Sequence, residues 1–210
     1  MERLFSAGKW RMPDDYAMGR PIKKTSFIVV LILALLLAAL LFFRQMTASS
    51  PLVFNVDTDG NGPMESYRLE DHQVFVKQDG NLIWVSPPEW KVTHLLLGDF
   101  DNDGQEDILM VLWKQGSFGS SRPAWSEGPD DEYSNHLFMY RLAAGKLKPV
   151  WCSSAIPYPI LDIEAEPDEN GIIALIVTEG PPTGHLYPLR KIFHREQTIW
   201  EWQDWGFVRK

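Results

Sequence analysis

Hydrophobic residues divide the chain into two parts with different patterns. An unbroken apolar run of 17 residues covers 27–43. As a helix it would be about 25 Å long, at the short end of what spans a bilayer. Beyond it, apolar residues come in short runs of strand length, separated by polar segments rich in glycine and proline. The pattern therefore predicts one N-terminal transmembrane helix, residues 27–43, followed by an all-β domain over residues 51–210.

Two of the short apolar runs, 95–97 and 108–112, flank an acidic segment at 99–107. Oxygen side chains occupy its relative positions 1, 3, 5 and 9, and Gly104 follows the fifth. These side chains are Asp99, Asp101, Asp103 and Asp107. A tightly turning loop can direct such alternating carboxylates at one hard cation, Ca²⁺ before Mg²⁺. An EF-hand would need an acid at position 12, where Met110 lies in a strand, so the predicted carrier is a β-hairpin.

The same spacing occurs earlier in the chain, at residues 57–65. Its oxygen side chains are Asp57, Asp59, Asn61 and Glu65, and Gly62 follows the fifth position. A third segment, 166–174, keeps positions 1, 3 and 5 in type, but Ala174 at position 9 supplies no ligand. We therefore predict metal sites in the first two loops and a weak or empty site in the third.

The three loops mark a repeat. They begin at residues 57, 99 and 166, and without the polar segment 114–136 their spacings become 42 and 44. Trp84 and Trp151 each lie 15 residues before a loop, and this phasing favours a place in the core. The period predicts propeller-like repeats, about three four-stranded units near 51–98, 99–161 and 162–210, with 114–136 as an insertion. Strand 51–56 is then left over, and we predict that it joins the first and last repeats.

The distribution of charge predicts the orientation in the membrane. Residues 1–26 contain six basic and three acidic residues, whereas residues 45–210 contain 13 basic and 25 acidic ones. The positive-inside rule makes 1–26 a cytoplasmic tail, 44–50 a linker and 51–210 extracytoplasmic. The long polar segment before the apolar run favours an uncleaved signal anchor, and a cleaved signal peptide is the alternative. The acidic domain excludes nucleic acid as a partner.

Residues that would support catalysis are sparse. The five histidines show no metal-ligand spacing, and no Gly-x-Ser-x-Gly elbow or phosphate loop occurs. The single cysteine, Cys152, excludes a disulfide within the chain, and we expect it to be a small buried apolar residue. The sequence therefore predicts a protein that is not an enzyme. The alternative is a hydrolase or sensor of cell-envelope polysaccharide, using Asp130 or Asp131 together with Trp125 in the insertion.

The loops at 57–65 and 99–107 read Asp-x-Asp-x-Asp/Asn-Gly-x-x-Asp/Glu. In this they resemble the FG-GAP/VCBS class of β-propeller repeats, found in integrin α-subunit heads and bacterial surface proteins. The resemblance covers residues 51–210 and implies Ca²⁺ bound by the eight side chains named above, with backbone carbonyls from Pro63 and Gln105. We expect a membrane-anchored binding or scaffold domain whose partner is an extracytoplasmic protein or glycan, contacted through the insertion 114–136.

Overall fold

The computed structural model describes residues 32–37, 51–119, 121–169, 171–182 and 195–210. The chain forms two units, Met1–Ser49 and Ser50–Lys210. In the first unit the described residues, 32–37, are helical, and the remainder of the predicted transmembrane helix 27–43 lies outside the described residues. Within the described ranges, no helix has the length and apolar character needed to cross a bilayer.

The second unit is all-β, as predicted. Its twelve strands form three four-stranded antiparallel sheets, each made of consecutive strands. We call them the first sheet (β1–β4), the second sheet (β5–β8) and the third sheet (β9–β12). The strands are β1 (Leu52–Val56), β2 (Glu65–Glu70), β3 (Gln73–Gln78), β4 (Asn81–Val85), β5 (Lys91–Gly98), β6 (Asp107–Gln115), β7 (Tyr133–Ala143), β8 (Lys146–Cys152), β9 (Ile160–Pro167), β10 (Ile173–Glu179), β11 (Glu196–Gln203) and β12 (Gly206–Arg209).

Tight turns produce this up-and-down order. The turn between β3 and β4 places Asp79 and Gly80 at positive φ, 50° and 78°. Ala144 and Gly145 do the same between β7 and β8, with φ of 53° and 70°. Two successive residues at positive φ match the right-handed twist of the adjoining strands, so they close two-residue hairpins. The hairpins join the third and fourth strands of the first two sheets.

The second sheet is packed on both faces, and its central strand shows why. Ile108 and Met110 of β6 belong to a core cluster shared with the first sheet. Leu109 and Val111 belong to a second cluster, shared with the third sheet. Side chains alternate between the faces of a strand, so a strand covered on both sides is a continuous apolar run. Each such buried side chain contributes roughly 1.5–3 kcal/mol to stability.

The two tryptophans in phase with the loops pack into these cores, as predicted. The Trp84 ring centroid lies 5.9 Å from that of Tyr140 in the second sheet. The Trp151 centroid lies 5.5 Å from that of Phe207 in the third sheet. Both tryptophans are partly buried against a core cluster, so each helps to hold one sheet on the next. Cys152 is half-buried at the edge of the first cluster.

The predicted role of strand 51–56 is wrong. β1 pairs with β2 in the first sheet, in a register that sets Val56 opposite Glu65. The third sheet has its own fourth strand, β12, paired with β11. A hairpin closes over a short loop at a low entropic cost, whereas joining the two ends of the domain requires a much longer closure. The three sheets accordingly do not close on one another.

The strands of the second sheet extend into the predicted insertion 114–136. Lys114 pairs with Ser134, and Gln115 pairs with Tyr133. Next to them the rings of Trp113 and Tyr133 stack, with centroids 5.9 Å apart and planes inclined by 15°. Aromatic cross-strand contacts stabilise such pairing. The connection between β6 and β7 is therefore shortened to residues 116–132.

Candidate metal centres

The first two acidic loops share one backbone arrangement. The Asp57 carboxylate accepts hydrogen bonds from the backbone N–H of Asn61, at 3.1 Å, and of Gly62, at 2.8 Å. The Asp99 carboxylate accepts the equivalent bonds from Asp103, at 2.9 Å, and from the following glycine, at 2.8 Å. The glycines of the two loops have φ of 100° and 89°, a conformation that a side chain would strain. The first carboxylate of each loop therefore holds the turn.

Three carboxylates converge in each of these loops. Asp57, Asp59 and Glu65 each offer one oxygen, and these oxygens lie within 4.8 Å of one another. Asp99, Asp101 and Asp107 form the same kind of cluster. Clustered carboxylate oxygens are the donors that hard divalent cations prefer. The residues present therefore fit a metal ion in both loops.

The fifth positions, Asn61 and Asp103, make other contacts within the protein. Asn61 donates from its side-chain nitrogen to the Asp59 carboxylate at 2.8 Å. Asp103 accepts the backbone N–H of Gln105 at 3.0 Å and a guanidinium hydrogen bond at 2.6 Å. The side-chain carbonyl oxygen of Asn61 has no hydrogen bond among the described residues, so it is available as a neutral metal ligand.

Neutral groups surround the ninth residue of the first loop. Glu65 is fully buried at the start of β2. One of its oxygens accepts the backbone N–H and the hydroxyl of Thr58, at 2.8 and 2.9 Å, and the other accepts the side-chain nitrogen of Gln78 at 2.9 Å. The Thr58 hydroxyl also meets the Tyr67 hydroxyl, whose pKa burial raises to about 12. No described cation contacts this carboxylate, so its negative charge is not compensated by the protein.

The second loop contains a cation of its own, Arg141. Its guanidinium donates from Nε to Asp107 at 2.7 Å, from Nη1 to Asp103 at 2.6 Å and from Nη2 to Asp101 at 3.0 Å. The Arg141 side chain is only 14% exposed, so these are well-shielded, charge-assisted bonds. They raise the pKa of Arg141, which therefore remains charged. The second loop, whose motif has more carboxylates than that of the first, therefore already contains a positively charged side chain.

The protonation behaviour of the second loop reflects both burial and this arginine. Burial raises the pKa of Asp107 to about 6, although Arg141 acts in the opposite direction. Burial likewise raises the pKa of Asp101. At Asp103, hydrogen bonds from Arg141 and Gln105 outweigh the effect of burial and lower the pKa. The deepest carboxylate is therefore the one whose charge is least stabilised.

Asp107 also has an oxygen without a partner. Its Oδ2 is buried and has no hydrogen bond among the described residues, and the side chain is fully buried. The residue at the second loop position is Phe100, whose ring is buried in the second core cluster, where the first loop has Thr58. A phenyl ring donates no hydrogen bond, and an unsatisfied buried acceptor costs roughly 1–3 kcal/mol. A metal ion would give this oxygen a partner.

Sequence reasoning missed Arg141, Thr58 and Gln78. The available signal was strand register. Gln78 pairs with Glu65 across β2 and β3, and the pairing of Ile108 with Tyr140 places Arg141 opposite Asp107. Counting back from the two-residue turn at Asp71 and His72 would have identified Gln78, whereas the long connection 116–132 leaves the register of Arg141 open. The residue facing the ninth position then decides whether the loop contains a counter-charge.

The third segment, 166–174, forms a different turn. Glu166 lies in β9 and pairs directly with Ala174, whereas in the first two loops the ninth residue pairs with the residue before the loop. The connection between the strands covers residues 168–172 and is three residues shorter than the connections 57–64 and 99–106. In it the Asp168 carboxylate accepts the backbone N–H of Ile172 at 2.8 Å. Asn170 lies outside the described residues. Within the described part of this segment no third acidic cluster forms, and the weak or empty site stays a prediction.

The loop 116–132 gives the catalytic alternative little support. The Asp130 carboxylate accepts the backbone N–H and the hydroxyl of Ser117, both at 2.8 Å, and these bonds lower its pKa. A general acid for glycoside cleavage needs a raised pKa. Asp130 instead holds the loop together. Trp125 is 77% exposed, with one edge against Phe118 at a centroid distance of 6.0 Å.

Compared with protein-family models, curated proteins and solved structures, the chain gives no match. The likeness of its loops to FG-GAP/VCBS repeats therefore stays a hypothesis about the loops themselves.

Proposed function

We propose that residues 51–210 are a calcium-binding, propeller-like β-repeat domain that acts in binding or scaffolding outside the cytoplasm, attached to the membrane by a helix over 27–43. The observation that carries the proposal is the first acidic loop. Asp57, Asp59 and Glu65 converge there, and no cation of the described residues contacts them. A buried carboxylate without a counter-charge is costly, and a bound divalent ion removes that cost.

Calcium fits this loop better than magnesium does. Ca²⁺ accepts six to eight oxygens in flexible geometry, including carboxylates, amides and backbone carbonyls. The first loop offers three carboxylates, the Asn61 amide oxygen and the carbonyl of Pro63. Magnesium requires a near-ideal octahedron and retains most of its water. The likeness of the loop to FG-GAP/VCBS repeats supports the same ion.

The proposed role of the ion is to join β1 to β2. The candidate ligands lie in the loop that connects the end of β1 to the start of β2, from Asp57 to Glu65, so the ion would tie the two strands together at this loop. The chain has one cysteine, so no disulfide can do this. A ligand that binds only the folded state stabilises it by about 2.7 kcal/mol at 100 times its Kd.

The binding role is proposed from the loop 116–132. Trp125 is exposed on a long connection that Asp130 holds in shape, and such loops commonly carry contact residues. An exposed indole can pack against a protein side chain or a sugar ring. The partner classes we propose are therefore an extracytoplasmic protein or a glycan.

Thermal unfolding of the full chain in calcium, in magnesium and in chelator tests the metal proposal. We expect calcium to raise Tm by several degrees and magnesium to raise it less, because about 1 kcal/mol corresponds to roughly 2–8 °C in domains of this size range. Asp59→Asn should abolish most of the rise. Asp79→Asn, an acidic residue in the β3–β4 turn, is the matched control and should retain it. An equal Tm in calcium and in chelator would overturn the proposal.

A further inference from the structure

The first and third sheets each have one face that no described element covers. On the first sheet this face exposes Val53, Leu82 and Val85, at 45%, 55% and 40%. On the third sheet it exposes Ile199 and Val208, at 45% and 44%. Exposed apolar side chains grouped on a sheet face are characteristic of interaction surfaces. We call these the first-sheet face and the third-sheet face.

Equivalent positions in the three sheets show that the first-sheet face and the third-sheet face are the two outer faces of the stack of sheets. The residue two places after the ninth loop position is Tyr67 in the first sheet, Leu109 in the second and Ile176 in the third. Tyr67 packs toward the second sheet and Leu109 packs toward the third. Ile176 is directly paired with Ile199, so it lies on the third-sheet face. The third sheet therefore presents the side that the other two sheets use to pack on their successor.

The first sheet presents the complementary side. Met110 of the second sheet packs toward the first sheet, and the equivalent Val177 of the third sheet packs toward the second. Arg68 occupies the same position in the first sheet and lies on the first-sheet face, where it pairs with Val53. In each pair of packed sheets, the first-sheet side of one sheet contacts the sheet before it in the chain and the opposite side contacts the sheet after it. The first-sheet face has no earlier sheet to contact, and the third-sheet face has no later one. One can cover the other in the packing mode already present twice in the domain.

Charge favours this pairing of unlike faces. The first-sheet face carries two basic residues and one acidic residue: Arg68, Lys77 and Glu70. The third-sheet face carries three acidic residues and one basic residue: Glu164, Glu166, Glu201 and Lys210. Asp162 of the same sheet instead contacts His94 of the second sheet at 3.5 Å. Opposite charges across an interface attract and like charges repel. Two third-sheet faces would repel each other strongly.

The first-sheet face also has a donor in need of an acceptor. Arg68 Nε is buried and has no hydrogen-bond partner among the described residues, although Nη2 of the same side chain pairs with Glu70 at 2.5 Å. Arg68 lines a groove of about 390 Å³ together with Val53, Phe75 and Lys77. A carboxylate from an acidic sheet face would satisfy this nitrogen.

We infer that a second copy of this chain covers both faces, the third sheet of each copy packing on the first sheet of the other. A two-fold axis makes the two contacts identical, so the assembly is closed. Two copies supply six four-stranded sheets, within the four to eight blades of ring-like β folds. The inference depends on the propeller-like arrangement proposed above, but not on the calcium.

Cross-linking between two tagged full-length chains tests the inference. One chain carries Lys77→Cys and the other carries Ile199→Cys, and both also carry Cys152→Ala. The reagent is a bismaleimide that spans about 10 Å, which is the spacing of packed sheets. We expect a cross-linked heterodimer in the mixture, at least fivefold above the product of either variant alone. Leu82→Cys with Val208→Cys is a second pair on the same two faces. Thermal unfolding of each variant shows whether it folds like the unmodified chain.

Two results would overturn the inference. The first is no cross-link from either pair in variants that fold normally, which would mean that these faces are free or covered by another partner. The second is equal product from single variants, which would mean pairing of like faces or association through residues 27–43. Measuring the calcium-dependent Tm shift on the same samples separates this result from the metal proposal, because that shift is expected whether or not the copies associate.

Discussion

The two acidic loops follow one motif but neutralise their charge differently. In the first, Glu65 is surrounded by neutral donors from Thr58 and Gln78. In the second, Arg141 joins three of the loop carboxylates. Ligand spacing alone therefore does not determine whether a loop needs a metal. The residue across the strand pair determines it.

This difference predicts an order of affinity. A cation entering the first loop meets no charged competitor among the described residues. A cation entering the second loop must compete with the guanidinium for Asp101 and Asp107, which are also metal-ligand candidates. Displacing charge-assisted hydrogen bonds costs part of the binding free energy. The first loop should therefore bind calcium more tightly, although its motif has one carboxylate fewer.

The largest expected effect is that of Arg141→Met. Removing one partner of a buried charge network leaves the other charges uncompensated, at a cost of about 3–5 kcal/mol. We expect urea unfolding in chelator to show a loss of this size. Calcium should restore much of it, because the vacated loop can then hold an ion. Arg122→Met, on the exposed loop 116–132, is the control and should change stability little. A loss below about 1 kcal/mol would contradict the counter-charge role of Arg141.

A smaller effect is expected for Thr58→Val. The substitution keeps the shape but removes the hydroxyl that donates to buried Glu65, at a cost of about 1 kcal/mol in chelator. The backbone N–H of residue 58 still donates to the same oxygen. Thr178→Val, on the third-sheet face, is the matched control. Urea unfolding compares the two variants, and equal stability would mean that the hydroxyl does not support Glu65.

The smallest effect is expected for Asp103→Asn. The Asp103 side chain is 39% exposed, and exposed ion pairs contribute about 0–1 kcal/mol. Because hydrogen bonds lower the pKa of Asp103, its contribution is present at neutral pH and is lost as pH falls through that lowered pKa. Urea unfolding at pH 7 should show a loss within this range. A loss as large as that of Arg141→Met would mean that Asp103, rather than Asp107, is the main partner of the arginine.

The elements of the fold were predictable where local pattern decides them. Residues 108–112 are apolar without interruption, and such a run at strand length indicates a strand covered on both faces, as β6 is. The turns at Asp79-Gly80 and Ala144-Gly145 were recognisable because each contains a glycine, which accepts positive φ without steric cost. The convergence of Asp99, Asp101 and Asp107 followed from alternating spacing around a glycine.

What could not be predicted depends on register and on distant partners. Arg141 lies 34 residues after Asp107, beyond a loop whose length does not reveal which residues will pair. A one-residue difference in pairing placed Glu166 in a strand instead of a loop, and composition does not show such a shift. The partner of β1 was mistaken because a left-over strand in a repeat can be assigned to either end of the domain until its pairing is known.

The most direct test of the account is calcium titration of the full chain by calorimetry, comparing Glu65→Gln with Asp107→Asn. Each variant removes one charge from the ninth position of one loop. We predict that Glu65→Gln loses the tightest calcium site and that Asp107→Asn retains it. If Glu65→Gln binds calcium as the unmodified chain does, or if Asp107→Asn is the variant that loses the tight site, the assignment of the metal to the first loop is contradicted.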